Sequence, residues 1–246
     1  MMQSLKIENL SIAYGSKVIL KDINLDISGG EIICLIGASG CGKSTLLNAV
    51  AGLVPLKSGS IRLDDEVVTG PSADRVMVFQ EDAVFPWMKV RQNVEFGLKV
   101  KGVPAAERKA IVDDKLRAVE LTGVEDLYPR QLSGGMRKRV DLARALAVNP
   151  SMILMDEPYG ALDAMTKERL QVQFLDVCRT TSATSLFVTH DIEEALFVGD
   201  RIVVLGRNPG RVVHVIDVPF GKKRTLDLKR SAELQHLRGE IADLIH

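Results

Sequence analysis

The stretch from Gly37 to Thr45 concentrates more chemistry than any other part of the chain. Gly37-Ala38-Ser39-Gly40-Cys41-Gly42-Lys43-Ser44 fits G-x-x-x-x-G-K-[ST], and Thr45 follows. An almost wholly apolar run, Glu31-Ile32-Ile33-Cys34-Leu35-Ile36, precedes it, and a helix-compatible segment comes after, which is the context this pattern requires. Glycines let a backbone wrap closely and turn its N–H groups inward on an anion. The helix that follows adds the positive end of its dipole. Lys43 supplies a full charge for the β- and γ-phosphates of a nucleotide, and the Ser44 hydroxyl is suited to coordinate Mg²⁺. Gly37, Ala38, Ser39, Gly40, Cys41, Gly42, Lys43, Ser44 and Thr45 are therefore candidate nucleotide-binding residues. Cys41 reads as a small loop residue, although a helix N-terminus and a lysine are features that lower a thiol's pKa.

A second constellation completes the first. Met152-Ile153-Leu154-Met155-Asp156-Glu157 is an apolar strand that delivers two carboxylates at its C-terminal end, where ligands bind in open α/β sheets. Asp156 is placed to hold Mg²⁺, directly or through water, and Glu157 to take a proton from an attacking water.

Elements must position these residues, and their order argues for an α/β fold. Strand patterns cover 5–10, 18–27, 31–37, 60–68, 75–80, 151–156, 185–189, 201–205 and 211–218. Helical patterns cover 44–53, 89–120 with a break at Gly102-Val103-Pro104, 133–148, 166–179, 191–198 and the tail to residue 245. Ser133 is a plausible N-cap, and Asn149-Pro150 ends the helix it opens. The simplest division is a core over 1–218, interrupted by a helical insert at roughly 85–148, and a helical tail over 219–246. Whether that tail packs on the core or modulates closure is left open. Arg137-Lys138-Arg139 reads as a solvated helix face.

Composition narrows the classes. The 246 residues are 46% hydrophobic and 26% charged, which excludes disordered, collagen-like and coiled-coil chains. Lys+Arg and Asp+Glu both number 32, so no global basic field is present to hold nucleic acid or an anionic membrane. No apolar run approaches the ~18 residues that crossing a bilayer takes, and the start MMQSLKIENL is not expected to be a secretory signal. Cys34, Cys41 and Cys178 lack metal spacing and suggest a reducing compartment.

Leu132-Ser133-Gly134-Gly135-Met136, shortly before the Asp-Glu strand, completes a pattern. Together with the elements above it resembles the nucleotide-binding subunit of ATP-binding cassette (ABC) transporters, and the resemblance covers nearly the whole chain. Gln80 follows Val76-Met77-Val78-Phe79 and matches the family's Q-loop; Ala161-Leu162-Asp163 matches its D-loop; His190, after Leu186-Phe187-Val188-Thr189, matches its switch histidine. Tyr14 stands where the family stacks an aromatic ring on adenine. The resemblance implies an α/β P-loop NTPase fold with a RecA-like core, an antiparallel β subdomain and an inserted α-helical subdomain. It implies ATP and Mg²⁺ as cofactors, with Ser44, Gln80 and Asp156 toward the metal. Lys43, Gln80, Glu157 and His190 would be catalytic. It also implies head-to-tail dimerisation, in which Ser133, Gly134 and Gly135 of one chain cover the γ-phosphate held by Lys43 of another. Met136 departs from the glutamine usual in that motif but leaves both glycine amides intact.

A narrower branch is visible. Phe85-Pro86-Trp87, and Arg207-Asn208-Pro209-Gly210-Arg211 near the end, look like the nitrate/sulfonate/taurine-type importers. This implies an ATPase subunit that powers uptake of a small solute. Its partners would be a second, identical cassette, integral membrane permease subunits and, indirectly, a solute-binding protein, with no nucleic acid. It would sit peripherally on the cytoplasmic side of the inner membrane, with Trp87 near the surface that receives the permease's coupling helix. A soluble ABC ATPase is the main alternative. A half-exporter cassette would normally be fused to spanning helices. A small-molecule P-loop kinase leaves Leu132 to Gly135 and His190 without a task.

Overall fold

The computed structural model describes residues 3–81, 83–160 and 162–245. Two sheets organise them. In the first, β1 (Leu5–Tyr14) pairs antiparallel with β2 (Lys17–Ile27) on one side and β4 (Ser58–Leu63) on the other, and β5 (Glu66–Val67) closes the order β2-β1-β4-β5. The expected strand over 60–68 is instead this β4–β5 hairpin. Asp64 adopts φ 50°, and Asp64-Asp65 supplies the turn chemistry that a continuous strand pattern hides.

The second sheet has the order β10-β9-β3-β8-β7-β6. It is built from β3 (Ile32–Gly37), β6 (Arg75–Val78), β7 (Met152–Asp156), β8 (Thr184–Val188), β9 (Arg201–Leu205) and β10 (Val212–Asp217). All neighbours run parallel except β10, which lies antiparallel at the edge. Side-chain alternation along each strand divides the interior in two. Ile33, Leu35, Leu154, Leu186, Val188 and Val203 face α1 (Lys43–Val50) and the first sheet. Ile36, Ile153, Met155, Phe187, Ile202 and Val204 face the remaining helices. Burial on both faces is why these strands read as near-continuous apolar runs.

Those helices are α2 (Val90–Val100), α3 (Ala105–Ala118), α4 (Gly134–Ala147), α5 (Ala164–Thr181), α6 (Ile192–Val198) and α7 (Ala232–Ile245). Gly102 and Pro104 separate α2 from α3. Ser133 caps α4 by accepting from the Met136 N–H at 3.2 Å. Asp163 and Asp191 do the same for α5 and α6. The chain after β10 runs through a short 3-10 helix, Leu226–Arg230, into α7, which packs against α6. Arg224 is buried there and donates to the carbonyls of Phe197 (3.0 Å) and Gly199 (2.7 Å), at the buried carbonyl end of α6.

The two sheets are stitched behind the glycine-rich loop. The Gly210 N–H donates to the Ile19 carbonyl at 2.8 Å, and the Gly210 carbonyl accepts from Lys21 at 3.0 Å. No other residue fits at 210, because a Cβ would collide with the Cys41 carbonyl. Among the described residues no helix is long and apolar enough to cross a membrane.

Candidate functional site

Strand order assembles the site. The glycine-rich loop leaves the C-terminal end of β3; His190 follows β8, Asp156 and Glu157 end β7, and Gln80 lies two residues past β6. Because β3, β8, β7 and β6 are consecutive in the sheet, these residues emerge side by side at one edge. An open cavity of about 550 Å³ lies there, lined by Ser39, Gly40, Gly42, Lys43, Ser44, Thr45, Gln80, Glu157 and His190, with Ile19 of β2 as an apolar wall.

The loop is held by local geometry. Gly42, at φ 103°, is the N-cap of α1, and a Cβ there would come within 2.5 Å of the Leu20 side chain. Lys43 is buried and donates through Nζ to the carbonyls of Gly37 (2.8 Å) and Ala38 (3.3 Å), so its charge sits within the loop's own curve. Cys41 is buried beneath the loop, and its N–H donates to Ala38 at 3.2 Å.

The two carboxylates differ. Asp156 is buried, and burial pushes its carboxyl above the usual range, against a hydrogen bond from the Ser44 hydroxyl. Glu157 takes φ 43°, unusual for a residue with a side chain, while its N–H donates to the Val188 carbonyl at 3.0 Å. Its Oε2 lies 3.3 Å from Gln80 Nε2, which donates to it, and 3.2 Å from His190 Nδ1. One carboxylate oxygen thus gathers the residues that follow β6 and β8. The His190 side chain remains 69% exposed and free to turn toward a ligand.

Three oxygen donors lie at or beside the cavity: the Ser44 hydroxyl, the Asp156 carboxylate and the Gln80 amide. Among the described residues no cluster of three His, Cys, Asp or Glu side chains forms a dedicated metal cage. That donor set suits a magnesium ion held by few protein groups together with substrate phosphates.

Four expected residues lie elsewhere. Tyr14 is 52% exposed at the β1–β2 turn and does not line the cavity. Ser133 and Gly134 are exposed and Gly135 is half-buried at the start of α4, outside the cavity. Gly135 lies close to Leu162, since a Cβ on it would meet Leu162 Cδ2 at 3.1 Å. Ala161, the first residue of the Ala161-Leu162-Asp163 match, is outside the described residues.

The solvated face expected for Arg137-Lys138-Arg139 is not observed. Lys138 is only 5% exposed, and its Nζ donates to the Phe79 carbonyl and to those of Gln80 (3.1 Å) and Glu81 (3.5 Å). Arg137 donates to Leu132, and Arg139 to Val119 and Glu120. The cause is helix geometry: Lys138 shares a face with Asp141, Leu142 and Ala145, all buried, and that spacing was the available signal. Arg144 extends the grip, donating to the Ala83 carbonyl at 2.7 Å and lying over the Phe85 ring. Beyond it, an apolar groove of about 290 Å³ is lined by Phe85, Phe96, Val100 and Val148 among others. Trp87, 69% exposed, stands beside it with its ring 5.7 Å from Phe85.

A strand-end phosphate loop with a paired Asp-Glu, beside an inserted helical unit, defines an ATP-binding cassette. The family profile described as ABC transporter matches residues 20–160. The chain is 47% identical over 237 residues to the nitrate import ATP-binding protein NrtD of Synechocystis sp., covering 94% of this chain and 89% of that protein. It is 45% identical over 219 residues to the taurine import ATP-binding protein TauB of Escherichia coli K12, covering 89% and 86%. Among solved structures it resembles the dimeric cassette MJ0796 in a post-hydrolysis state bound to ADP and Pi (TM-score 0.78, 32% identity, 88% of this chain and 100% of that one). It also resembles CbiO1 of Clostridium perfringens, part of the CbiONQ complex (TM-score 0.76, 28% identity, 89% and 90%). The chain belongs to the ABC transporter family, and its fold is that of the family's ATPase cassette.

Proposed function

We propose that this chain hydrolyses Mg·ATP in the strand-end cavity and powers an importer whose pore is made by separate membrane subunits. The observation that carries the catalytic reading is the Glu157 carboxylate, held between Gln80 and His190 at the mouth of the Lys43 loop. Glu157 accepts the proton of the attacking water. Gln80 orients that water, and His190 turns from Glu157 to the γ-phosphate. Lys43 and the amides of residues 37–45 hold the β- and γ-phosphates, and Tyr14 stacks on adenine. Ser44, Asp156 and Gln80 would hold a magnesium ion, whose charge would neutralise that of the phosphates.

The Ser133, Gly134 and Gly135 amides serve a second copy of the chain. Two cassettes close head to tail on two ATP molecules, and loss of the γ-phosphate contacts lets them part. We assign residues 1–218 to the cassette, with 85–148 as its helical insert, and 219–246 to a tail. The Phe85–Phe96 groove and Trp87 form the face for the permease, an aromatic-rich surface of the kind that anchors protein partners. The cassette is peripheral to the membrane, on its cytoplasmic side. The relatives NrtD and TauB support a small anionic or zwitterionic solute of the nitrate/sulfonate/taurine class.

Co-expression with a candidate membrane permease from the same genome tests this reading. The expected result is a complex extracted from membranes that releases phosphate from ATP faster when a loaded solute-binding protein is added. Equal hydrolysis by the free chain, with no membrane protein retained, would favour a soluble ABC ATPase.

A further inference from the structure

A buried polar path runs from the C-terminal tail to the loop that carries His190. It begins at Lys229, in the 3-10 helix that precedes α7. Lys229 is buried, lies 5.0 Å from the Phe197 ring centre, and donates to Gln171 Oε1 at 2.8 Å. Gln171, on α5 and fully buried, donates through Nε2 to Glu194 Oε1 at 2.8 Å. The other oxygen of Glu194 accepts from the Thr189 hydroxyl, whose oxygen in turn accepts from the Asp191 N–H at 3.0 Å. Thr189 and Asp191 are the two neighbours of His190, so the path ends on both sides of it. Lys167 reinforces this end, with Nζ 2.7 Å from Asp191 Oδ2 and 3.4 Å from Glu194 Oε1.

The direction of each bond is fixed by chemistry. An ammonium only donates, so the Gln171 oxygen must face Lys229 and its NH₂ must face Glu194. That donation takes up one Glu194 oxygen and leaves the other for Thr189. Without Lys229 the buried Gln171 oxygen loses its donor, and the amide is held only from the Glu194 side, so the Gln171–Glu194 pair is free to shift. The path crosses long stretches of sequence, from residue 229 to 171 to 194, so only the packed tail completes it.

We infer that Lys229 is a positioning residue for His190, acting through Gln171, Glu194 and Thr189, and that the C-terminal tail therefore sets the geometry of the hydrolytic site. This rests on the reading that His190 acts in hydrolysis. Arg224, which secures the carbonyl end of α6, holds the same helix from its far end.

The experiment compares the full chain with Lys229→Met, Lys229→Arg and His190→Gln. It reads kcat and KM for Mg·ATP together with the ¹⁵N–¹H correlations of the imidazole rings. Loss of the signal in His190→Gln assigns the His190 resonance, and His214 on β10 serves as the internal control. Lys229→Met is expected to lower kcat about threefold to tenfold with KM within about twofold, the size of coupling seen within one hydrogen-bond network. It should shift the His190 resonance but not that of His214, and Lys229→Arg should recover most of both effects. Should Lys229→Met fail to fold, Gln171→Met carries the same test, since it cuts the path while leaving Lys229 beside Glu168 and Glu193. An unmoved His190 resonance, or a loss in Lys229→Arg as deep as in Lys229→Met, overturns the inference. Wild-type hydrolysis by His190→Gln would overturn the role of His190 instead, and the resonance would still decide the coupling.

Discussion

The strand-end cavity and the N-terminus of α4, which the proposed function assigns to one ligand, are built in opposite ways. At the cavity, strand order brings four loops together, Lys43 and Asp156 are buried, and Glu157 already contacts Gln80 and His190. At α4, Ser133 and Gly134 are exposed, and the cap satisfies only the helix's own Met136 amide. The first is assembled from four loops; the second is a helix start whose Ser133 and Gly134 are exposed, with only Gly135 packed beside Leu162. On the proposed reading, one copy holds nucleotide and a second copy finishes the enclosure.

The most severe way to break this contrast is at the base. Glu157→Gln should lower the hydrolysis rate about a hundredfold to a thousandfold, the range general-base removal produces, and should accumulate an ATP-bound dimer on gel filtration. Monomers turning over at the wild-type rate would remove Glu157 from that role. Lys43→Ala should weaken Mg·ATP binding about tenfold to a hundredfold, as loss of a charge-assisted phosphate contact does; equilibrium dialysis with labelled ATP measures it.

Gly134→Asp sharpens the comparison, because a Cβ at 134 meets only Arg137 Nη2, at an ordinary 3.7 Å. The monomer should bind ATP within about twofold of wild type, while hydrolysis falls about tenfold or more through like-charge repulsion across the dimer. Weaker binding by the monomer would mean that α4 belongs to the same half as Lys43. Lys138→Met should cost about 1–2 kcal/mol of stability in chemical denaturation, because it removes the charged donor that the buried Lys138 supplies to the part-buried carbonyls of 79–81.

The smallest effect concerns pH. Lys167 and the α6 cap hold the Asp191 carboxyl below its ordinary value in spite of burial. The stability this confers is present above the unfolded pKa of about 4 and is lost as pH falls through the lowered folded value. Asp191→Asn should therefore cost roughly 0.5–1 kcal/mol at pH 7 and flatten the acid limb of a denaturation series below about pH 4.

Much of this was readable in the sequence because it is local. A glycine loop between an apolar run and a helix, or Asp-Glu at the end of a buried strand, carries its chemistry within a few residues. Gln80 and His190 were legible as positions following strands, though not their meeting on one Glu157 oxygen, which depends on strand order. Lys138 was misread as solvated because a charge triplet hides which member turns inward. Tyr14 is exposed because it sits at a hairpin end, which composition does not reveal. The link from Lys229 through Gln171 to Glu194 joins three distant segments, and no spacing rule detects it. The hairpin at Asp64 escaped because the apolar residues on both sides, Ile61 and Leu63 then Val67 and Val68, read as one strand across Asp64-Asp65-Glu66, which carry the turn.

The stitch at Gly210 has a mechanical meaning. Two backbone hydrogen bonds tie the edge of the antiparallel sheet to the β9–β10 turn directly behind Cys41. A force applied to the phosphate loop is therefore shared by both layers at once, as a keystone shares load between two arches. Anything that presses on the loop thus meets the resistance of two sheets rather than one.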